Sequence, residues 1–294
     1  MHPKNIHNSF YNFKELIKSN PILKEFVFIN QHKIETIDFA NQKAVLELNK
    51  SLLSHHHNVK NWNIPEGYLC PPIPSRADYL YYLNDLLQAE GSKKAIKGLD
   101  IGVGANCIYP ILASQLFNWK MVGVDIDKTA IQSAIKNVET SKKLKENIEI
   151  RHQESNANIF KGIIKESEYF DFTICNPPFH ASEKDANSAA LRKIKNLKDT
   201  TESAQRTIKL NFGGQSNELW CNGGEALFIK RMIKQSVEFK KQVNWFTTLV
   251  SKNGNLKAIY KQLDKAKAKY KTINMEQGNK KTRFVAWRFP NSEA

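Results

Sequence analysis

The sequence predicts a doubly wound α/β fold: a mostly parallel seven-stranded sheet closed by an antiparallel hairpin and preceded by a smaller α+β module. Three observations carry that prediction. From Ala95 onward, apolar strand-like runs alternate with helical stretches, the signature of βαβ units. Strands are expected near 96–101, 121–126, 148–152, 170–175, 243–250, 272–277 and 283–289, and helices near 108–116, 128–136, 157–164, 226–239 and 256–267. The last two strands leave no room for a crossover helix, so they must pair antiparallel at the sheet edge. Third, a glycine-containing turn, Gly102-Val103-Gly104, joins the first strand to its helix.

The first part, residues 1–91, differs in texture from residues 92–294, and the chain is divided there into two domains. It opens on a polar, basic stretch, His2-Pro3-Lys4-Asn5, with Asn8 and Asn12 nearby. A helical pattern follows through Phe13, Leu16 and Ile17 and is broken at Asn20-Pro21. Phe26 to Ile29 is a short apolar run, and residues 34–48 hold one strand and one helix. The run His55-His56-His57 invites a metal reading, but consecutive residues point in different directions and no acidic residue lies beside them. A solvated loop or helix end is expected there. Residues 65–74 carry four prolines and read as an extended linker. Beyond it, Tyr79, Leu80, Leu83, Leu86 and Leu87 recur at helical spacing.

Charge and cysteine usage narrow the function classes. There are 44 Lys and Arg against 29 Asp and Glu, a formal net charge of +15, which favours a polyanionic partner. Cys70, Cys107, Cys175 and Cys221 are widely spaced and form no C-x-x-C pair, so reduced thiols and no zinc are expected. No run approaches the ~18 apolar residues of a membrane span. The first 13 residues lack the apolar core of a secretory signal, so a cytoplasmic protein is expected.

The candidate cofactor residues begin at the glycine turn. Gly102 and Gly104 let the backbone turn tightly and approach a ligand where a Cβ would collide. Taken alone, this turn serves packing as readily as binding. The second strand ends at Asp125, 23 residues after Gly102, where a carboxylate can bond ribose hydroxyls. Together they point to an adenosine-bearing cofactor without saying which. The third glycine of G-x-G-x-x-G is replaced by Cys107, a loss that matters little if there is no pyrophosphate to cradle.

The fourth strand decides between cofactors, because it runs directly into Asn176-Pro177-Pro178-Phe179. An adenine amine is a poor nucleophile whose lone pair is delocalised into the ring. Two acceptors aimed at its N–H bonds favour pyramidal nitrogen, and the Asn176 side-chain carbonyl and the Pro177 backbone carbonyl can supply them. Two prolines hold such carbonyls rigidly, and Phe179 offers a flat face for the base. No general base is needed, since the amine can lose its proton to water after an in-line methyl transfer. The implied donor is S-adenosylmethionine.

These residues, with the stretch 98–110, resemble the 23S ribosomal RNA adenine-N6 methyltransferase family, RlmF, of the class I (Rossmann-like) methyltransferase fold. Further blocks sharpen the likeness: Leu210 to Gln215, Glu218 to Cys221 with Gly223-Gly224-Glu225, and Trp245 to Ser251. His2 to Asn5 and Pro74 to Tyr79 fit as well, so the resemblance covers nearly the whole chain. It implies cofactor contacts from Arg76, Gly102, Gly104, Asn106, Asp125 and Ser155, with Asn176 at the junction of cofactor and base. It also implies S-adenosylhomocysteine as product, no metal, ribosomal RNA or a pre-ribosomal particle as partner, no membrane, and a monomer. A protein glutamine methyltransferase, a DNA adenine methyltransferase and a non-catalytic RNA-binding protein are the rival readings. Each is disfavoured by the basic charge, by the lack of a target-recognition domain, or by the intact Gly102, Asp125 and Asn176.

Two expectations concern RNA. Residues 1–91 are expected to hold it through Lys4, Lys14, Lys18, Lys24, Lys33 and Lys43, interleaved with Phe10, Tyr11 and Phe13. Residues 186–217 are polar, lack periodicity and read as a long mobile loop. The block from Asn211 to Glu225 carries no chemistry that its residues alone reveal.

Overall fold

A computed structural model describes residues 1–91, 95–180, 182, 220–277 and 280–290 of the chain. The expected loop at 186–217, and the part of the glycine-rich block before Trp220, lie outside the described residues.

The elements run in the order α1 (Phe13–Ser19), β1 (Val27–Ile29), β2 (Glu35–Ile37), α2 (Gln42–His57), α3 (Ile73–Gln88), β3 (Lys97–Ile101), α4 (Ile108–Phe117), β4 (Lys120–Asp125), α5 (Lys128–Val138), α6 (Lys142–Asn147), β5 (Ile148–His152) and β6 (Phe170–Cys175). After the undescribed stretch come α7 (Gly224–Ser236), β7 (Val243–Leu249), α8 (Leu256–Lys265), β8 (Lys269–Gln277) and β9 (Lys280–Arg288). Side-chain caps mark several starts: Asn41 accepts from the backbone N–H of Lys43 and Ala44 at α2, and Asp127 from Thr129 and Ala130 at α5.

All seven expected strands form and join one sheet of order β5-β4-β3-β6-β7-β9-β8. β3 to β7 are parallel, while β9 pairs antiparallel with both β7 and β8. The hairpin is longer than the apolar pattern suggested, because its register runs unbroken from Lys269↔Arg288 to Gln277↔Lys280. Both faces of the sheet are covered. In β9, Phe284 and Ala286 join the core under α3 and α4, while Val285 and Trp287 join the core under α7 and α8.

The order places a switch point at β3. The chain proceeds outward through β4 and β5, then returns to the other side of β3 with β6. Crossovers that diverge from adjacent strand ends leave a crevice there, at the carboxyl edge. Asp125 and Cys175 end the two strands that flank β3, so their backbones stand about two strand spacings, ~10 Å, apart.

Four expectations are corrected. Residues 157–164 form successive turns, not a helix, because the Gln235 side chain on α7 takes the N–H groups of Ile159 and Phe160. The three histidines do end a helix, yet His57 is buried, not solvated, and its Nε2 lies 3.1 Å from Nε2 of buried His7. The polar, basic start is folded inward. His2 donates its backbone N–H to Asp78, Asn5 donates to Asp78 and to the carbonyl of Pro74, and both side chains are buried against α3. Among the aromatics read as facing RNA, Phe13 is a core residue at 3% exposure, whereas Phe10 is 92% exposed. The proline-rich stretch stays irregular only to Pro72, and α3 starts at Ile73 with Pro74 in its first turn.

Candidate active site

A cavity of about 660 Å³ opens over the carboxyl edge of the sheet, a size suited to a small-molecule ligand. Its first wall is the turn after β3. Gly102 and Gly104 sit at φ +78° and +62°, a left-handed backbone that a side chain would strain. The backbone N–H groups of Gly102 and Val103 are held by the carbonyl of Val124, which docks the turn onto β4.

Asp125 stabilises that turn as well as facing the cavity. Its Oδ2 accepts from the Gly104 N–H at 2.9 Å and its Oδ1 from the Asp127 N–H at 3.0 Å. Burial pushes its carboxyl above the ordinary range, and these backbone bonds oppose that push. Asp100, one strand inward, is fully buried, neither of its carboxylate oxygens has a partner among the described residues, and burial raises its pKa as well.

Asn106 is fixed from three sides. Its Oδ1 accepts from the Ile108 N–H, its Nδ2 donates to the carbonyl of Leu69, and its own carbonyl accepts from the buried indole of Trp62 at 2.8 Å. The last two contacts tie the N-terminal part to the glycine turn. Neither Trp62 nor Leu69 was singled out in the sequence, because a Trp or Leu in a loop carries no pattern.

Arg76, which the family resemblance alone singled out, lines the cavity. Its Nη1 donates to the Tyr109 hydroxyl at 3.1 Å, and its guanidinium carbon stands 5.5 Å from the centre of that ring. α3 is anchored beneath it: the buried Tyr79 hydroxyl lies 2.8 Å from Thr247 Oγ1, which in turn donates to the Thr173 carbonyl on β6.

The acceptor end begins where β6 stops. Cys175, Asn176 and Pro178 line the cavity; Pro177 is buried beside it, and Phe179 is half-buried and not part of the lining. The Asn176 Oδ1 is buried and has no hydrogen-bond partner among the described residues. Leaving a buried acceptor unpaired costs about 1–3 kcal/mol, so a ligand donor there gains what the empty state forfeits. Ser155 does not line the cavity; its neighbours Gln153 and Asn156 to Ile159 do, while the Ser155 N–H donates to Gln153 Oε1.

Sequence reasoning missed the opposite wall. Trp220, Cys221, Asn222, Phe228 and Arg231 all line the cavity. Arg231 donates to the Asn156 carbonyl at 3.0 Å, and Gln235 donates to that of Ala157, so α7 grips the turn beside Ser155. Glu225, 1% exposed, accepts from the Ser251 N–H at 2.6 Å and from the Asn255 side chain, which fastens the start of α7 to the end of β7. The acidic residue of the Gly223-Gly224-Glu225 block is thus a clamp, a role its sequence position did not disclose.

All four cysteines are free thiols, Cys107 and Cys175 buried and the others half-buried. Among the described residues no three His, Cys, Asp or Glu side chains gather as a metal group, and no helix is long and apolar enough to cross a membrane.

Comparison with known proteins agrees with this geometry. A family model described as RNA methyltransferase matches residues 1–291. The chain is 61% identical over 289 residues to the ribosomal RNA large subunit methyltransferase F of Christiangramia forsetii, covering 98% of this chain and all of the relative. It is 50% identical to the protein of the same name from Flavobacterium johnsoniae, over 99% of this chain and 94% of that one. Among solved structures, the catalytic domain of human METTL16 in complex with an RNA hairpin of the MAT2A 3′UTR superposes with a TM-score of 0.84 at 26% identity, over 99% and 96% of the two chains. The N-terminal domain of human METTL16 in complex with SAH gives 0.78 at 26% identity, over 99% of each. With the class I methyltransferase sheet in place and a match across nearly its full length, the chain belongs to the RNA methyltransferase family.

Proposed function

We propose that this enzyme transfers a methyl group from S-adenosylmethionine to the exocyclic N6 of a specific adenine in 23S, large-subunit ribosomal RNA. The observation that carries the reading is Asn176, whose buried carbonyl has no partner among the described residues, lining the same cavity as the Gly102–Asp125 turn. The relatives' name and the hairpin bound to human METTL16 support the substrate class.

The residues present fit S-adenosylmethionine. The glycine turn leaves room for close approach, Asp125 offers a carboxylate to ribose hydroxyls, and Asn106 and Arg76 line the space beside them. When bound, the donor supplies a methyl group activated by its sulfonium centre. The chain then has to hold and orient. Asn176 and the rigid carbonyl of Pro177 accept the two amine N–H bonds, Pro178 limits their motion, and Phe179, beside the cavity lining, offers one face to the base. Ser155 is assigned to the cofactor side through the turn that Gln235 and Arg231 hold. The surplus of positive charge attracts the RNA backbone, and the exposed Lys4, Lys14, Lys18, Lys24, Lys33 and Lys43 make residues 1–91 an RNA-holding module. The protein acts as a cytoplasmic monomer without metal.

The test is methylation of total RNA with labelled donor, followed by digestion to nucleosides. N6-methyladenosine derived from the large-subunit RNA is expected. Label in protein instead of RNA would turn the assignment to a side-chain amide.

A further inference from the structure

Resting on that reading, we infer that Trp220 is a second aromatic contact for the target adenine, forming the wall of the acceptor pocket that faces Asn176 and Pro178. The motif turn alone cannot confine a base. It offers hydrogen-bond acceptors to one edge, whereas a flipped or single-stranded adenine is held chiefly through its faces. Phe179, the aromatic within the turn, is not part of the cavity lining, but Trp220 is.

The backbone sets Trp220 there. Residue 220 forms a parallel bridge with His180, and the Cys221 N–H donates to the His180 carbonyl at 3.1 Å. The strand-like exit of the Asn176–Phe179 turn therefore pairs directly with the segment carrying the indole. Immediately beyond, Gly223 at φ +77° turns the chain into α7, and the buried Glu225 clamp fixes that turn to the end of β7.

No hydrogen bond from the described residues pins the Trp220 indole. Trp62 and Trp287 are pinned by Nε1 hydrogen bonds, to the Asn106 carbonyl and to Ser236 Oγ respectively. Trp220 Nε1 is buried and has no partner among the described residues, and the residue is half-buried and lines the cavity. Phe228, the other aromatic at this end, packs its ring against the core under α7. An aromatic surface on the acceptor side, positioned through its backbone and not through its ring nitrogen, suits stacking on a base.

The experiment compares wild type, Trp220→Ala and Trp220→Phe for methyl transfer to a large-subunit RNA transcript, with S-adenosylhomocysteine affinity measured by calorimetry. Base–aromatic stacking predicts a loss on the order of ten- to a hundredfold in kcat/KM for RNA in Trp220→Ala, and recovery to within about threefold in Trp220→Phe. Affinity for S-adenosylhomocysteine should stay within about twofold in both variants, which also shows that they fold. Normal turnover by Trp220→Ala overturns the inference. So does a matching loss of S-adenosylhomocysteine affinity, which would make Trp220 a wall of the cofactor end. A Trp220→Phe variant as impaired as Trp220→Ala, with S-adenosylhomocysteine affinity intact, replaces stacking by a requirement for the indole N–H. If wild type itself leaves the RNA unmethylated, the functional reading fails first, and that outcome is distinct from any of these.

Discussion

Replacing Asp125 with Ala should damage the cavity twice, and the two effects can be separated. The carboxylate accepts from the N–H groups of Gly104 and Asp127, at 2.9 and 3.0 Å, and an alanine leaves both donors without it. An orphaned buried donor costs about 1–3 kcal/mol; these two sit at the rim of an open cavity where water can reach them, so ~2–4 kcal/mol in total is the working figure. At roughly 2–4 °C per kcal/mol for a chain near this size, the melting temperature should fall by about 4–16 °C. The ribose contact is a further loss of ~1.5–3 kcal/mol, because the acceptor is charged. That corresponds to about 10- to 150-fold weaker binding of S-adenosylhomocysteine, measured by calorimetry below the new melting temperature. Asp125→Asn keeps one carbonyl acceptor and turns an N–H₂ toward the other donor, so it should fall between wild type and alanine on both measures. A lowered melting temperature with unchanged affinity would show that the carboxylate only clamps the turn. No change in either would refute the reasoning from geometry altogether.

Three further outcomes are expected. Asn176→Ala should lower methyl transfer by ~100-fold or more while S-adenosylhomocysteine affinity holds within about threefold; retention of a third of normal turnover would remove Asn176 from the reaction. Burial, with the charge of neighbouring histidines, lowers the pKa of His7 to about 4 and of His57 to about 3 from 6.5. The unfolded chain takes up these protons near pH 6.5 and the folded chain does not, so stability is full above that value and falls toward pH 4 by up to ~1.4 kcal/mol per pH unit for each ring. Melting curves of His57→Gln should accordingly depend less on pH between 6.5 and 4, and an unaltered dependence would place the acid-sensitive group elsewhere. Replacing Lys4, Lys14 and Lys18 with Glu should weaken RNA binding and flatten its salt slope by up to about 0.9 per lost duplex phosphate contact. Cofactor affinity should be untouched, and an unchanged slope would leave residues 1–91 a structural role.

The sheet was legible because its information is local. The inner strands β3, β4, β6 and β7 are apolar runs bounded by turn residues, and both their faces are buried, so the signal in 170–175 or 243–249 survives without knowledge of neighbours. The 157–164 segment failed for the opposite reason. Its apolar spacing suits a helix, but a single side chain from α7, Gln235, captures two of its backbone donors, and no local pattern encodes a partner 75 residues away. The polar start carries no local sign of its burial either. His2, Asn5 and His7 are polar, yet each finds a partner on α2 or α3 that offsets the cost of burial.

The two ends of the cavity differ along the same line. At the cofactor end, Gly102, Gly104 and Asp125 occupy strand tips, where backbone geometry dictates residue type, so sequence position and role coincide. At the acceptor end only Asn176 and its prolines stand on a strand tip. The facing wall is held by relayed contacts: the His180 bridge fixes the chain at Trp220, Glu225 fastens α7 to Ser251, and Arg231 and Gln235 on that helix carry the turn at 156–160. Such relays allow many residue types at each step, which is why the block from Glu218 to Glu225 matched a family without revealing a function. They also make the acceptor wall one connected unit. A change at Glu225, outside the cavity lining, should shift Trp220 and Arg231 together, while a change at Asp125 acts on the cofactor turn alone.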